Sequence, residues 1–208
     1  MARLSIFPLG GALLFPRAML PLHIFEPRYK AMMSDALARD RRIGMIQPRD
    51  ADHARPALFD IGCVGRIAEF EALDDGRYNL VLEGLTRFRM IRELEVTTAF
   101  RQIEADWAAF ENDATDPDPL GLALRADIER ESRRYAEAKG YAIDWSAVER
   151  LDDEALVNGV AQVAPFDIAT KQALLEAHDL AERADLVVQF LRFFRFDESD
   201  EDDGATLQ

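Results

Sequence analysis

The chain is 208 residues long, 49% hydrophobic and 31% charged, with a formal net charge of −14 at pH 7. That length fits one domain with an appendage or two small lobes around a real core, and no apolar run approaches the ~20 residues a membrane-crossing helix needs. One cysteine, Cys63, excludes an intramolecular disulfide and a cysteine-rich metal site, the acidic balance disfavours phosphate polymers and anionic bilayers as partners, and a reducing cytoplasm is the expected compartment.

The first 25 residues are apolar, but Pro8, Gly10, Gly11, Pro16 and Pro21 interrupt them and no small-residue cleavage site follows. They read as part of the fold rather than a signal peptide. Short apolar or alternating segments predict strands over 4–7, 19–25, 43–47, 61–72, 77–84, 86–94 and 99–107. One helix interrupts them. Pro27 suits its first position, Glu26 sits at the positive end of its dipole, and Tyr29, Met32, Met33, Ala36 and Leu37 form a stripe that should cover the sheet. Asp74-Asp75-Gly76 marks a hairpin, because Asp and Gly tolerate the positive φ of tight turns. After it Tyr78, Leu80 and Leu82 share one strand face.

The turn-rich segment 112–119, NDATDPDP, is the expected linker between a β lobe at 1–111 and helices at 120–196. Leu124, Ile128, Ser132 and Tyr135 make one helical stripe, and Leu156, Val160, Val163 and Ala164 another. Pro165 separates two helices, Asp167 is the expected N-cap of the second, and Asp179 with Glu182 suggests a capping box. The last helix places Leu180, Ala184, Val187, Leu191 and Phe194 on one face. Residues 197–208 open with DESDEDD, too densely charged to offset ordering entropy, and are expected to be disordered.

Chemistry-bearing patterns are sparse. His23, His53 and His178 fall in different elements without metal-ligand spacing, so neither a metal nor another cofactor is expected. Cys63 lies in an apolar strand and reads as a buried structural thiol. The pairs Asp74-Asp75 and Asp152-Asp153 are better explained as a turn and a helix cap than as acid/base pairs. No Gly-x-x-x-x-Gly-Lys-Ser/Thr loop occurs. Lysines are present only at 30, 139 and 171; Lys139 lies at a helix end, Lys171 at a surface-like helical position, and neither is tied to a serine motif.

Four regions carry a resemblance. Phe7-Pro8-Leu9-Gly10, Leu14-Phe15-Pro16 and Leu20-Pro21-Leu22-His23-Ile24-Phe25-Glu26-Pro27-Arg28-Tyr29 resemble the opening of the N-terminal, substrate-binding domain of Lon proteases. Ile61-Gly62-Cys63-Val64-Gly65-Arg66-Ile67 is similar to its central strand, and Leu82-Glu83-Gly84-Leu85-Thr86-Arg87-Phe88-Arg89 to its Gly-x-x-Arg-Phe signature. The stretch from Lys171 to Glu176, with Leu180 to Arg183, is similar to its helical part.

The resemblance implies an α+β fold, in which a PUA-like β pseudobarrel with one covering helix precedes a helical bundle. It implies a stand-alone, bacterial-type Lon-domain protein without ATPase or peptidase modules, and therefore no enzyme. Its expected role is to bind unfolded or partly folded proteins, as a holdase-like factor or as an adaptor for a separate protease, with extended peptides adding to an exposed strand edge. Phe15, Pro16, Phe25, Glu26, Arg28 and Arg87 are the candidate peptide-binding residues, on a groove between the N-terminal loop, the first helix and the Arg-Phe strand. Each also has a structural reading: the aromatics as core, Glu26 and Arg28 as a cap and ion pair, Arg87 as a fork to a carboxylate. The alternatives are RNA binding, which would need a clustered basic face with exposed aromatics, and a small-molecule enzyme with a deep titratable pocket.

Overall fold

A computed structural model of the chain describes residues 2–50 and 55–196. His53 and the segment 197–208 expected to be disordered lie outside the described residues. The chain divides into two compact units, Met1–Asp116 and Pro117–Gln208, with a mixed sheet in the first and helices in the second.

The first unit holds β1 (Ala2–Pro8), β2 (Met19–Ile24), α1 (Pro27–Leu37), β3 (Arg42–Pro48), β4 (Leu58–Ala72), β5 (Tyr78–Glu93) and β6 (Gln102–Asp106). The sheet runs β2-β5-β4-β3-β1-β6, and β6 pairs again with β5. Five strands therefore close into a ring, leaving β2 attached outside it through β5 alone. The β1–β3 pairing is parallel and the others antiparallel. Closure removes the edges that an open sheet would expose. Leu4, Ile6, Ile46, Leu58, Val64, Phe88, Ile103 and Ala105 from all five ring strands form one buried cluster.

The two segments predicted at 77–84 and 86–94 are one strand, and Gly84 between them explains both the apparent break and the continuity. A Cβ at Gly84 would sit 1.9 Å from the Phe15 carbonyl oxygen. Only glycine lets the Leu14-Phe15-Pro16 segment approach that closely. Gly62 plays the same part opposite Phe88, whose ring would lie 2.5 Å from an added Cβ. The Asp74-Asp75-Gly76 turn forms as its residues dictate: Gly76 has φ +73°, and Asp75 accepts from the Arg77 N–H at 3.1 Å.

Helix α1 buries Tyr29, Met32, Met33 and Ala36, as its stripe predicts. Glu26 occupies the N-cap without a side-chain capping bond; its carboxylate is engaged by Arg28 instead, at 2.9 Å. A 3₁₀ helix, η1 (Ala108–Ala114), was not foreseen, and residues 112–114 of the expected linker are its end.

The second unit contains α2 (Leu122–Lys139), α3 (Trp145–Val148), α4 (Asp153–Val163), α5 (Ile168–Glu176) and α6 (Leu180–Phe196). Helix α6 packs on α2, α4 and α5 through Leu180, Ala184, Val187 and Leu191, all buried. Asp152 and Asp167 cap α4 and α5, accepting from the N–H groups of Ala155 at 2.7 Å and Thr170 at 2.6 Å. Two expectations need correction. The buried face of α4 is Leu156, Val157 and Ala161, while Val163 is 83% exposed at the helix end. Lys171 is buried rather than superficial: its Nζ donates to the Gln162 carbonyl at 2.9 Å, bonding a carbonyl in the last turn of α4. Burial pushes the Lys171 ammonium below the usual lysine range.

Candidate functional site

Among the described residues β2 pairs with β5 alone in the sheet. Gly84 donates to the Ala18 carbonyl and accepts from the Arg17 N–H. Since ladder bonds alternate along an antiparallel strand, Leu20 and Leu22 direct their main-chain groups at β5. Met19, Pro21 and His23 then face outward. Pro21 has no N–H, so the centre of the edge lacks a donor and a continuous added ladder is interrupted there.

Two hollows adjoin this edge. The first, about 250 Å³, lies between β2, the end of β1 at Phe7-Pro8-Leu9 and the start of α1. Its walls are built by packing: the Phe7 and Tyr29 rings are 4.2 Å apart, and the Arg28 guanidinium lies 4.5 Å over the Tyr29 ring while it holds Glu26. Phe25 is 59% exposed at the mouth, its ring 6.1 Å from that of His23. Burial raises the Tyr29 hydroxyl above its usual range against the opposing pull of Arg28, so the phenol is neutral and the cleft wall carries no charge there.

The second hollow, about 510 Å³, lies over the arm made by β2 with the outer parts of β4 and β5. The register places Pro21, Val81 and Glu69 in one row and His23, Asn79 and Glu71 in the next. A polar chain crosses the three strands. Arg77 meets His23 Nε2 at 3.3 Å, His23 Nδ1 meets Asn79 Oδ1 at 2.7 Å, and Asn79 Nδ2 donates to Glu71 at 3.3 Å. Because the guanidinium only donates, Nε2 is the acceptor and Nδ1 carries the proton. Together the hollows offer apolar walls with a polar rim, suited to hold an extended segment by its side chains. Among the described residues no group of His, Cys, Asp and Glu is placed to hold a metal ion, and no helix is long and apolar enough to cross a membrane.

The six residues singled out by sequence separate into two sets. Phe25, Glu26 and Arg28 line the first hollow together. Phe15 and Pro16 are buried where the chain crosses Gly84. Arg87 is 5% exposed and grips Asp113 of η1: Nη2 lies 2.8 Å from Oδ1, Nε bridges both oxygens at 3.2 and 3.1 Å, and the Arg87 N–H donates to Oδ2 at 2.8 Å. The Phe110 ring lies 4.9 Å from the same guanidinium. The Gly-x-x-Arg-Phe motif is thereby explained residue by residue: a close approach at Gly84, a clamp on η1 at Arg87, a core anchor at Phe88. Phe7, Tyr29 and His23 complete the cleft. From sequence Phe7 reads, with Phe15, Pro16 and Phe25, as core or, where exposed, as part of an apolar patch, whereas Tyr29 and His23 are signalled only by their position beside the Phe25-Glu26-Arg28 run.

A closed mixed β unit and a helical unit define an α+β domain in class. The chain belongs to the family of substrate-binding domains of ATP-dependent protease La (LON), whose model matches residues 3–192. It is 28% identical over 193 residues to Lon protease 2 of Myxococcus xanthus, covering 90% of this chain and 23% of that protein. It is 24% identical over 193 residues to Lon protease of Escherichia coli K12, covering 90% and 24%. The chain thus spans about a quarter of the length of these relatives. In fold it is similar to the Lon N-terminal domain protein from Xanthomonas campestris (TM-score 0.65, 22% identity, 91% of this chain and 99% of that one). The N-terminal domain of Mycobacterium avium complex Lon protease is also similar (TM-score 0.61, 16% identity, 92% and 98%).

Proposed function

We propose that the chain is a non-catalytic recognition module that binds exposed or unfolded polypeptide segments in the β2 cleft and works in the cytoplasm as a holdase-like factor or as an adaptor for a separate protease. The observation that carries this is Phe25, a large apolar side chain left 59% exposed at the mouth of a cleft walled by Phe7 and Tyr29. Exposed aromatics beside a preformed apolar hollow are the usual anchors of protein recognition. Membership of a substrate-binding family supports the same reading. In this account the first unit is a PUA-like pseudobarrel, the second a helical bundle, and Phe25, Glu26 and Arg28 are the contact residues. Pro21 shifts recognition from main-chain pairing toward side-chain capture.

The test is fluorescence anisotropy of a labelled, permanently unfolded polypeptide titrated with the full chain at physiological salt, beside a folded control. Saturable binding of the unfolded chain alone is expected. Absence of binding up to high micromolar concentration would remove the holdase reading.

A further inference from the structure

On a chain of net charge −14, the second unit concentrates positive charge on one face. Arg130 and Arg134 of α2 and Arg192 and Arg195 of α6 surround Glu131, which is only 2% exposed. Arg134 and Arg195 each reach it at 3.1 Å, Arg130 at 3.3 Å and Arg192 at 3.5 Å. Asp127 takes Arg130 at 2.6 Å and Arg192 at 3.9 Å. Among the described residues Arg130, Arg134 and Arg192 therefore share two carboxylates, whereas Arg28, Arg39 and Arg92 are paired with Glu26, Asp35 and Glu104.

A guanidinium presents five N–H groups in a rigid fork. Arg130 and Arg192 turn Nε toward Glu131 and Nη2 toward Asp127, and Arg134 turns Nη1 toward Glu131; the rest of these side chains, 43%, 47% and 54% exposed in that order, faces water. The buried carboxylate fixes these arginines in advance, so little side-chain ordering is left for a ligand to impose. Phe193, 61% exposed, follows Arg192 on the same helix.

We propose that this α2–α6 face docks an acidic polypeptide segment. Side-chain carboxylates would enter the outer forks of Arg130, Arg134 and Arg192, and an apolar neighbour would cover Phe193. Planar carboxylates match the fork. A short segment keeps its charge within the ~8–10 Å screening length of the arginines, whereas a long phosphate polymer meets the repulsion of the whole acidic chain. The inference does not depend on the β2 cleft.

The probe is a labelled peptide of sequence DESDEDD, with NQSNQNN as the neutral control and a heptameric oligouridine as the nucleic-acid arm. The protein is the full chain with its own matching acids neutralised (Asp197→Asn, Glu198→Gln, Asp200→Asn, Glu201→Gln, Asp202→Asn, Asp203→Asn), so that it carries no competing acidic run. Anisotropy should show saturable binding of the acidic peptide alone. Arg134→Gln with Arg192→Gln should weaken it at least about fivefold, and Arg134→Lys with Arg192→Lys, which keeps charge but loses the fork, by less. Thermal melting of each variant reports whether the fold is kept. No binding of the acidic peptide, unchanged affinity in folded double variants, or tighter binding of the oligouridine would each overturn the proposal.

Discussion

Replacing Asp113 by alanine tests the structural role of Arg87 in the first unit. The substitution removes the acceptor for the Nε, Nη2 and main-chain N–H of Arg87, a residue only 5% exposed. Breaking one side of a buried ion pair costs about 3–5 kcal/mol, against a typical total stability of about 5–15 kcal/mol. At about 2–4 °C per kcal/mol for a chain of this size, the melting temperature should fall by about 6–20 °C. The double variant Arg87→Met/Asp113→Leu, which removes both charges and keeps side-chain volume, should recover most of the loss. Circular dichroism melts of the three proteins measure this. A shift below about 2 °C for Asp113→Ala would refute the reasoning, because the clamp on η1 would then contribute nothing to the fold.

Three further outcomes follow from the packing and electrostatics. Gly84→Ala places a Cβ 1.9 Å from the Phe15 carbonyl oxygen and should destabilise the first unit by several kcal/mol (~3 or more), read as a lost or early melting transition. Ser132 Oγ is buried with no hydrogen-bond partner among the described residues, so Ser132→Ala should be neutral or stabilise by up to about 1 kcal/mol, seen as an equal or higher denaturant midpoint. Acid should act through carboxyls held low in the folded chain. Hydrogen bonds from Arg101 hold Glu93 below its ordinary value, and those from Arg125 and the Leu120 N–H do so for Asp153. Burial pushes Glu131 up, but its arginines outweigh that and leave it low as well. The stability these groups contribute is complete above the unfolded values near pH ~4 and is lost as pH falls through the lower folded ones. Melting temperature followed from pH 7 to pH 3 should therefore drop mainly below about pH 4, and Glu131→Gln should blunt that drop.

What the sequence made legible is what local periodicity and turn chemistry dictate. The α1 stripe, the β4–β5 hairpin, the Asp152 and Asp167 caps and the face of α6 all follow from spacings of two or of three and four. What it concealed depends on contacts between distant residues. Ring closure by β5 and β6, the Arg87–Asp113 clamp across 26 positions and the passage of Phe15 over Gly84 leave no periodic trace. Lys171 looked superficial because its reach to the Gln162 carbonyl depends on how α4 and α5 pack. The same limit divided the candidate site. Phe25, Glu26 and Arg28 lie within four residues and end on one cleft, whereas Phe15, Pro16 and Arg87 were linked to it only by the motifs they belong to, and tertiary packing buries them.

In the proposed function the β2 cleft captures polypeptide through Phe25. The most direct measurement is the affinity of an unfolded polypeptide for the full chain and for Phe25→Ala, with the melting temperature of both. Because Phe25 is 59% exposed, its loss should leave stability within about 0.5 kcal/mol. Removing an aromatic anchor should weaken binding by about tenfold, some 1.4 kcal/mol. Equal affinity of the two proteins would place recognition elsewhere on the molecule.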